Sequence, residues 1–229
     1  MIEIKNLTKT YKLNKKQMKE SRTTNPIKTA VNDLMLTARK GEIYGLLGPN
    51  GAGKTTTLRC ISTIIRPTKG EIYVDGHEVR KEPEKVREKI GFLTGDIKLD
   101  PQFSPDYMFD FFGKIHGVKP ERIKDFAHKK MKELSTGMGQ KAAIAVSLVH
   151  DPDIVIFDEP TNGLDVVTAR SVTDYLKRLK EEGKLVIIST HIMSEEGHLE
   201  DILRETQTED LEDAFFELYS QVKGGGEDA

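Results

Sequence analysis

Gly48-Pro49-Asn50-Gly51-Ala52-Gly53-Lys54-Thr55 decides how the rest of this chain is read. Gly48 and Gly53 bracket four residues, and a lysine and a hydroxyl follow at once, which completes the phosphate-binding P-loop pattern. Ahead of it, Ile43, Tyr44, Leu46 and Leu47 form a short apolar run that predicts a buried strand. Behind it, Thr56, Thr57, Leu58, Cys60, Ile61, Ile64 and Ile65 predict a helix with one apolar side. A strand, a glycine loop and a helix aim backbone N–H groups and the positive end of the helix dipole at an anion. Asn50, Gly51, Gly53, Lys54, Thr55 and Thr56 are the candidate binding residues of this element. Lys54 has the reach for β- and γ-phosphates, and the Thr55 hydroxyl suits Mg²⁺.

A length of 229 residues with 37% hydrophobic and 31% charged side chains describes one large domain, or two small ones, with enough apolar material for a core. A formal net charge of −2 and a pI near 6.3 give no electrostatic reason to expect a nucleic acid partner. Cys60, the one cysteine, excludes an intramolecular disulfide and reads as a small buried residue on the P-loop helix. No apolar run reaches the ~18 residues that cross a bilayer, and Met1-Ile2-Glu3-Ile4-Lys5 lacks a signal-peptide core. Work at a membrane would therefore need another chain to hold this one there.

Along the chain, Ile2 to Lys5 alternates like a strand. Lys12 to Lys28 is polar and basic, read as a solvated hairpin loop rather than a binding arm. Strands are predicted at 34–37, 71–74 and 90–93, with a helix over 82–90. Residues 101–150 turn aromatic and helical, with helices expected near 105–115, 121–133 and 137–149. Continuous apolar runs return at Ile154 to Phe157 and Leu185 to Ser189, the signature of a parallel sheet buried on both faces. A helix over 167–182 joins them as a right-handed βαβ unit. Helix alone is expected after Ile192, over 193–223, before a frayed glycine-rich tail at 224–229.

Ile154-Val155-Ile156-Phe157-Asp158-Glu159 ends an apolar strand in two carboxylates. Beside a P-loop, Asp158 suits the Mg²⁺ shell and Glu159 suits a base that polarises a water in line with the γ-phosphate. His191, one strand further on, could bond the γ-phosphate or that water. Leu134-Ser135-Thr136-Gly137-Met138 is an ordinary helix start or a second anion site, with Ser135 as the N-cap candidate.

The order of P-loop, Leu-Ser-x-Gly, Asp-Glu-Pro strand end, Gly163-Leu164-Asp165 and Ser189-Thr190-His191 resembles the nucleotide-binding subunit of ABC transporters over roughly residues 1–195. The wording around Leu134 to Met138 and Thr94-Gly95-Asp96 looks most like the sodium- and drug-exporting bacterial branch. The resemblance implies an ATP hydrolase with ATP and Mg²⁺ as cofactors. It assigns Tyr11 to stacking on adenine, Lys54 and Thr55 to phosphate and metal, Asp158 to the metal shell, Glu159 to general base and His191 to the switch position. Ser135 and Gly137 would reach the γ-phosphate of ATP on a second ATPase subunit, with Asp165 at that boundary. The segment Asp96 to Phe112 would line the groove for a separate membrane permease subunit, or else pack as an ordinary amphipathic helix. The protein would then be cytoplasmic and peripheral on the inner face of the cell membrane. Readings left open beside transport are a soluble ABC ATPase of repair or translation and an ATP-gated dimerisation switch with weak hydrolysis.

The chain departs from that family in four places. Gly95 stands where a glutamine is usual; a long basic loop separates Tyr11 from Ala30-Val31; Gly139 lies in the first turns of the signature helix; and the helical half is short, with no β-run after His191. The expected fold is α/β: a P-loop NTPase with a mostly parallel sheet, an antiparallel N-terminal β-part, an inserted helical subdomain, and the usual C-terminal strand pair absent. The ATP-binding core is assigned to 1–95 and 150–192, and the helical subdomain to 96–149.

Overall fold

The computed structural model describes residues 1–95, 99–118 and 127–190. By its contacts the chain divides into Met1–Ser189 and Thr190–Ala229, and of the second unit only Thr190 is among the described residues. The elements, in order, are β1 (Ile2–Lys12), α1 (Lys15–Glu20), β2 (Ile27–Ala38), β3 (Ile43–Leu47), α2 (Lys54–Ile61), β4 (Lys69–Val74), β5 (His77–Glu78), α3 (Pro83–Lys89), β6 (Ile90–Thr94), α4 (Pro105–His116), a 3-10 turn at Met131–Glu133, α5 (Thr136–Ser147), β7 (Ile154–Asp158), α6 (Val166–Glu181) and β8 (Leu185–Thr190).

Two four-stranded sheets form, ordered β2-β1-β4-β5 and β3-β8-β7-β6. The first is antiparallel in every pair. Its alternating Ile2, Ile4, Ile72 and Val74 turn inward and are fully or almost fully buried. In the second, β6, β7 and β8 run parallel and in register. The period-2 pleat of β7 divides its apolar run between two cores. Ile154 and Ile156 join the cluster that holds Leu58 and Ile61 of α2 and the inner face of the antiparallel sheet. Val155 and Phe157 join Val172, Leu176 and Leu179 of α6. The P-loop helix thus lies in the apolar layer shared by both sheets. Burying side chains such as Leu58 stabilises that placement by about 1.5–3 kcal/mol each.

A third, smaller cluster of Met108, Phe109 and Val146 holds α4 against α5. This is the helical block that the sequence places within 96–149. Of the helix expected near 121–133, residues 121–126 lie outside the described residues, and its end at Met131–Glu133 is a single 3-10 turn instead. The predicted P-loop helix also stops short. Ser62 caps α2 and Thr63 turns to φ 62°, which leaves Ile64 half exposed. The basic stretch at 12–28 is a solvated hairpin connection, and it carries structure of its own: β1 and β2 extend into it, pairing Tyr11 with Lys28, and α1 lies between their ends. The helices expected over 193–223, the tail at 224–229 and the missing C-terminal strand pair lie outside the described residues.

Candidate active site

The P-loop takes its shape from Gly53. This residue sits at φ 91°, caps α2 without any side-chain bond, and would bring a Cβ within 2.3 Å of the Ala30 carbonyl oxygen. Only glycine fits such an approach in the left-handed region. The first turn of α2 is therefore capped by no side chain, so its backbone N–H groups are suited to an anion. Lys54 is buried at 9% exposure, and its ammonium donates to the carbonyls of Gly48 and, at 3.2 Å, Pro49. Two carbonyl acceptors offset the cost of burying the charge.

Asp158 ends β7 directly across from Thr94 on β6 and Ser189 on β8. The Ser189 hydroxyl donates to Asp158 Oδ1, and the Thr94 hydroxyl donates to Oδ2 at 3.4 Å. The carboxylate is 7% exposed and held by hydroxyls on both sides. Glu159 follows at φ 53°, a conformation a non-glycine side chain adopts only when its surroundings hold it there. Its N–H donates to both the carbonyl oxygen and the hydroxyl of Ser189, each at 3.1 Å. Asn162 Nδ2 donates to Glu159 Oε2 at 2.9 Å and aims the side chain.

One cavity of about 450 Å³ gathers these parts. The loop from Pro49 to Thr56 forms one wall, so Asn50, Gly51, Gly53, Lys54, Thr55 and Thr56 all line it. Glu159 lines it as well, and so do Tyr11 and Ala30 despite the long insertion between them. Tyr11 is 39% exposed, with the Lys9 ammonium 5.1 Å from its ring centroid. Asp158 is not among the lining residues; Ser189 bonds both to it and to Glu159. The described residues hold no cluster of three or more metal-ligating side chains. One carboxylate at Asp158 and one hydroxyl at Thr55 fit a hard cation that keeps most of its ligands as water and phosphate, which is the habit of Mg²⁺.

Ser135 and Gly137 are not among the residues that line this cavity. Ser135 caps α5, its hydroxyl accepting the Met138 N–H at 3.3 Å. At Gly137 a Cβ would stand 2.8 Å from Thr168 Oγ1, and that hydroxyl donates to Asp165 Oδ2 at 2.7 Å. Asp165 also caps α6 through the Thr168 N–H, and these bonds from Thr168 hold its carboxyl below the usual range. Gly137 and Asp165 thus both meet Thr168, and neither these two nor Ser135, two residues before Gly137, lines the P-loop cavity. Gln140 links α5 to the acidic strand end by donating to the Pro160 carbonyl at 2.9 Å.

Nothing crowds Gly95, so its bare position is not forced by packing. At Gly139 an added Cβ would meet only Met131 Cε, at 3.8 Å. Burial pushes the Cys60 thiol up to about 11, which keeps it protonated and inert. His191 and Asp96 lie outside the described residues. Sequence reasoning missed Asn162 and the double role of Ser189. The second was within reach, since Ile154 to Asp158 and Leu185 to Ser189 are apolar runs of equal length ending in polar residues.

Residues 31–162, more than half of the chain, match the ABC transporter family. The ABC transporter ATP-binding protein NatA of Bacillus subtilis is 40% identical over 180 residues, which covers 72% of this chain and 73% of that protein. The linearmycin resistance ATP-binding protein LnrL of the same organism is 35% identical over 181 residues, covering 73% of this chain but 58% of LnrL. Among solved structures, a dimeric ATP-binding cassette in a post-hydrolysis state, bound to ADP and Pi, superposes with a TM-score of 0.69 at 30% identity, covering 84% of this chain and 88% of that one.

Proposed function

Because the chain belongs to the ABC transporter family, as an ATP-binding subunit, we propose that it hydrolyses ATP to power transport through a separate membrane permease. The observation that carries this reading is the single cavity that combines the uncapped P-loop turn, Lys54 and the Glu159 carboxylate. Backbone donors of Gly51 to Thr56 and the Lys54 ammonium bind the triphosphate. Thr55 and Asp158 would hold Mg²⁺, which neutralises charge on the β- and γ-phosphates. Glu159 accepts a proton from the water that attacks the γ-phosphate, while Asn162 and Ser189 fix its direction. Tyr11 stacks on adenine, and the order of motifs assigns the γ-phosphate contact to His191, which lies outside the described residues.

Ser135 and Gly137 complete the site on a second copy of the chain, with Asp165 at the same boundary. The meeting of Gly137 and Asp165 at Thr168 supports this arrangement. Phe103, Tyr107 and Phe111 form an exposed stack with ring centroids 4.5 and 6.3 Å apart, which suits a permease segment. No helix among the described residues is long and apolar enough to cross a membrane. In this reading, which rests on the family, the permease would hold the protein on the inner face. The resemblance to the sodium- and drug-exporting branch, with a relative named for linearmycin resistance, supports export of sodium or a drug-like substrate.

Phosphate release with Mg²⁺ATP tests the enzyme. Glu159→Gln should lower kcat by about 10²-fold or more while keeping ATP affinity, and should elute as an ATP-dependent dimer in gel filtration. Lys54→Ala should lose nucleotide binding. Wild-type turnover in Glu159→Gln, or near-normal ATP affinity in Lys54→Ala, sinks the reading.

A further inference from the structure

Helix α1 is an element that phosphate binding alone does not explain. Its start is carefully made: Asn14 Oδ1 accepts the Gln17 N–H, and Gln17 Oε1 accepts the Asn14 N–H, both at 2.9 Å. This reciprocal capping box satisfies two orphan donors. Yet α1 is six residues long and buries none of them, so no core packing holds it. Isolated helices below about 12 residues are marginal in water, which makes the capping box and the flanking β1–β2 ladder its main supports. Its position is the informative feature. Lys12, Leu13, Gln17, Glu20 and Ser21 line the same cavity as the P-loop residues Pro49 to Thr56.

Resting on the nucleotide reading above, we infer that α1 walls the nucleoside end of the site and that Glu20 accepts a hydrogen bond from a nucleoside donor. The chemistry selects that end. The polyphosphate is drawn to Lys54 and the first turn of α2, and a carboxylate is repelled from it. The donors of a nucleotide lie away from its phosphates, as ribose hydroxyls and the adenine amine, and a carboxylate is an acceptor only. Tyr11, Ala30, Lys12 and Lys28 line the cavity together with α1, so Glu20 shares that lining with an aromatic ring and two cationic side chains. The ion pair of Glu20 with Lys16 is 3.9 Å long and exposed on both sides, so it does not exhaust the carboxylate as an acceptor.

Calorimetric titration with ADP, 2′-deoxy-ADP, IDP and pyrophosphate tests this without turnover. Glu20→Ala should bind ADP roughly five- to tenfold more weakly, as expected for loss of one solvent-exposed hydrogen bond, and pyrophosphate as the wild type does. If the donor is the ribose 2′-hydroxyl, wild type should bind 2′-deoxy-ADP as weakly as Glu20→Ala binds ADP. If the donor is the adenine amine, IDP takes that place. Unchanged ADP affinity in Glu20→Ala, or an equal loss for pyrophosphate, overturns the role of α1 alone. Wild-type protein that binds neither ADP nor pyrophosphate overturns the nucleotide reading together with it.

Discussion

At the scale of single residues, the site depends on backbone geometry that the motif letters only partly encode. Gly51 and Gly53 both carry positive φ, at 89° and 91°, but their surroundings differ. Nothing lies near the Cβ position of Gly51, whereas at Gly53 the Ala30 carbonyl and Val31 Cγ2 would stand 2.3 and 3.2 Å away. Gly53→Ala should therefore cost at least about 2 kcal/mol, from left-handed strain and overpacking together. Gly51→Ala carries the strain alone. Thermal unfolding should place Gly53→Ala well below Gly51→Ala, and equal midpoints would contradict the close approach of β2 to the loop. The P-loop residues and the Asp158-Glu159 pair stood out in the sequence as candidates by their spacing alone, and the fold brings the P-loop and Glu159 to one cavity. Asn162 did not stand out, because its bond to Glu159 depends on a turn through Pro160 whose path no periodicity announces.

At the scale of elements, periodicity located most strands and helices to within a few residues, since burial on one or both faces writes a period of 2 or 3.6 into the chain. It failed where burial is absent. Helix α1 shows no apolar stripe because no residue in it is buried, so its only sequence sign is the pairing of Asn14 with Gln17. Contacts between elements were equally hidden. Gly137 reads as a glycine near a helix start, yet it is the point where α5 meets Thr168 of α6. Gly137→Ala should destabilise by about 1–3 kcal/mol, through collision with Thr168 Oγ1 and Cγ2 at 2.8 and 2.9 Å. Thr168→Ala removes both atoms at the cost of one bond to Asp165. In chemical denaturation the double variant should be more stable than the two single losses predict, a coupling expected for residues in contact. Strict additivity would mean that the helices do not touch at this point.

At the scale of the whole molecule, the helical block and the nucleotide core are joined by more than apolar packing. His116 at the end of α4 stacks on His150, with ring centroids 4.1 Å apart. His150 Nε2 in turn lies 3.3 Å from the carbonyl of Ile90, where β6 begins, and its Nδ1 is buried without a hydrogen-bond partner. Burial, and then the neighbouring His116, hold His150 below its ordinary value of 6.5; the Ile90 carbonyl and Asp151 oppose the shift, and Lys184 adds to it. The unfolded chain therefore binds a proton at this site more readily than the folded chain. Folding stability rises with pH in that window. The contribution is fully present above about pH 6.5 and is lost as pH falls through the lower folded value. Asp153, held low chiefly by the Lys40 ammonium, loses its contribution only as pH falls below its ordinary 3.8, so the two windows are separate. Melting temperature should fall between pH 7.5 and 5.5 in the wild type. His150→Gln, which keeps an N–H donor for Ile90 but does not titrate, should flatten that fall. A variant whose melting temperature tracks the wild type across the range would show that acid acts on this fold elsewhere than at the histidine pair.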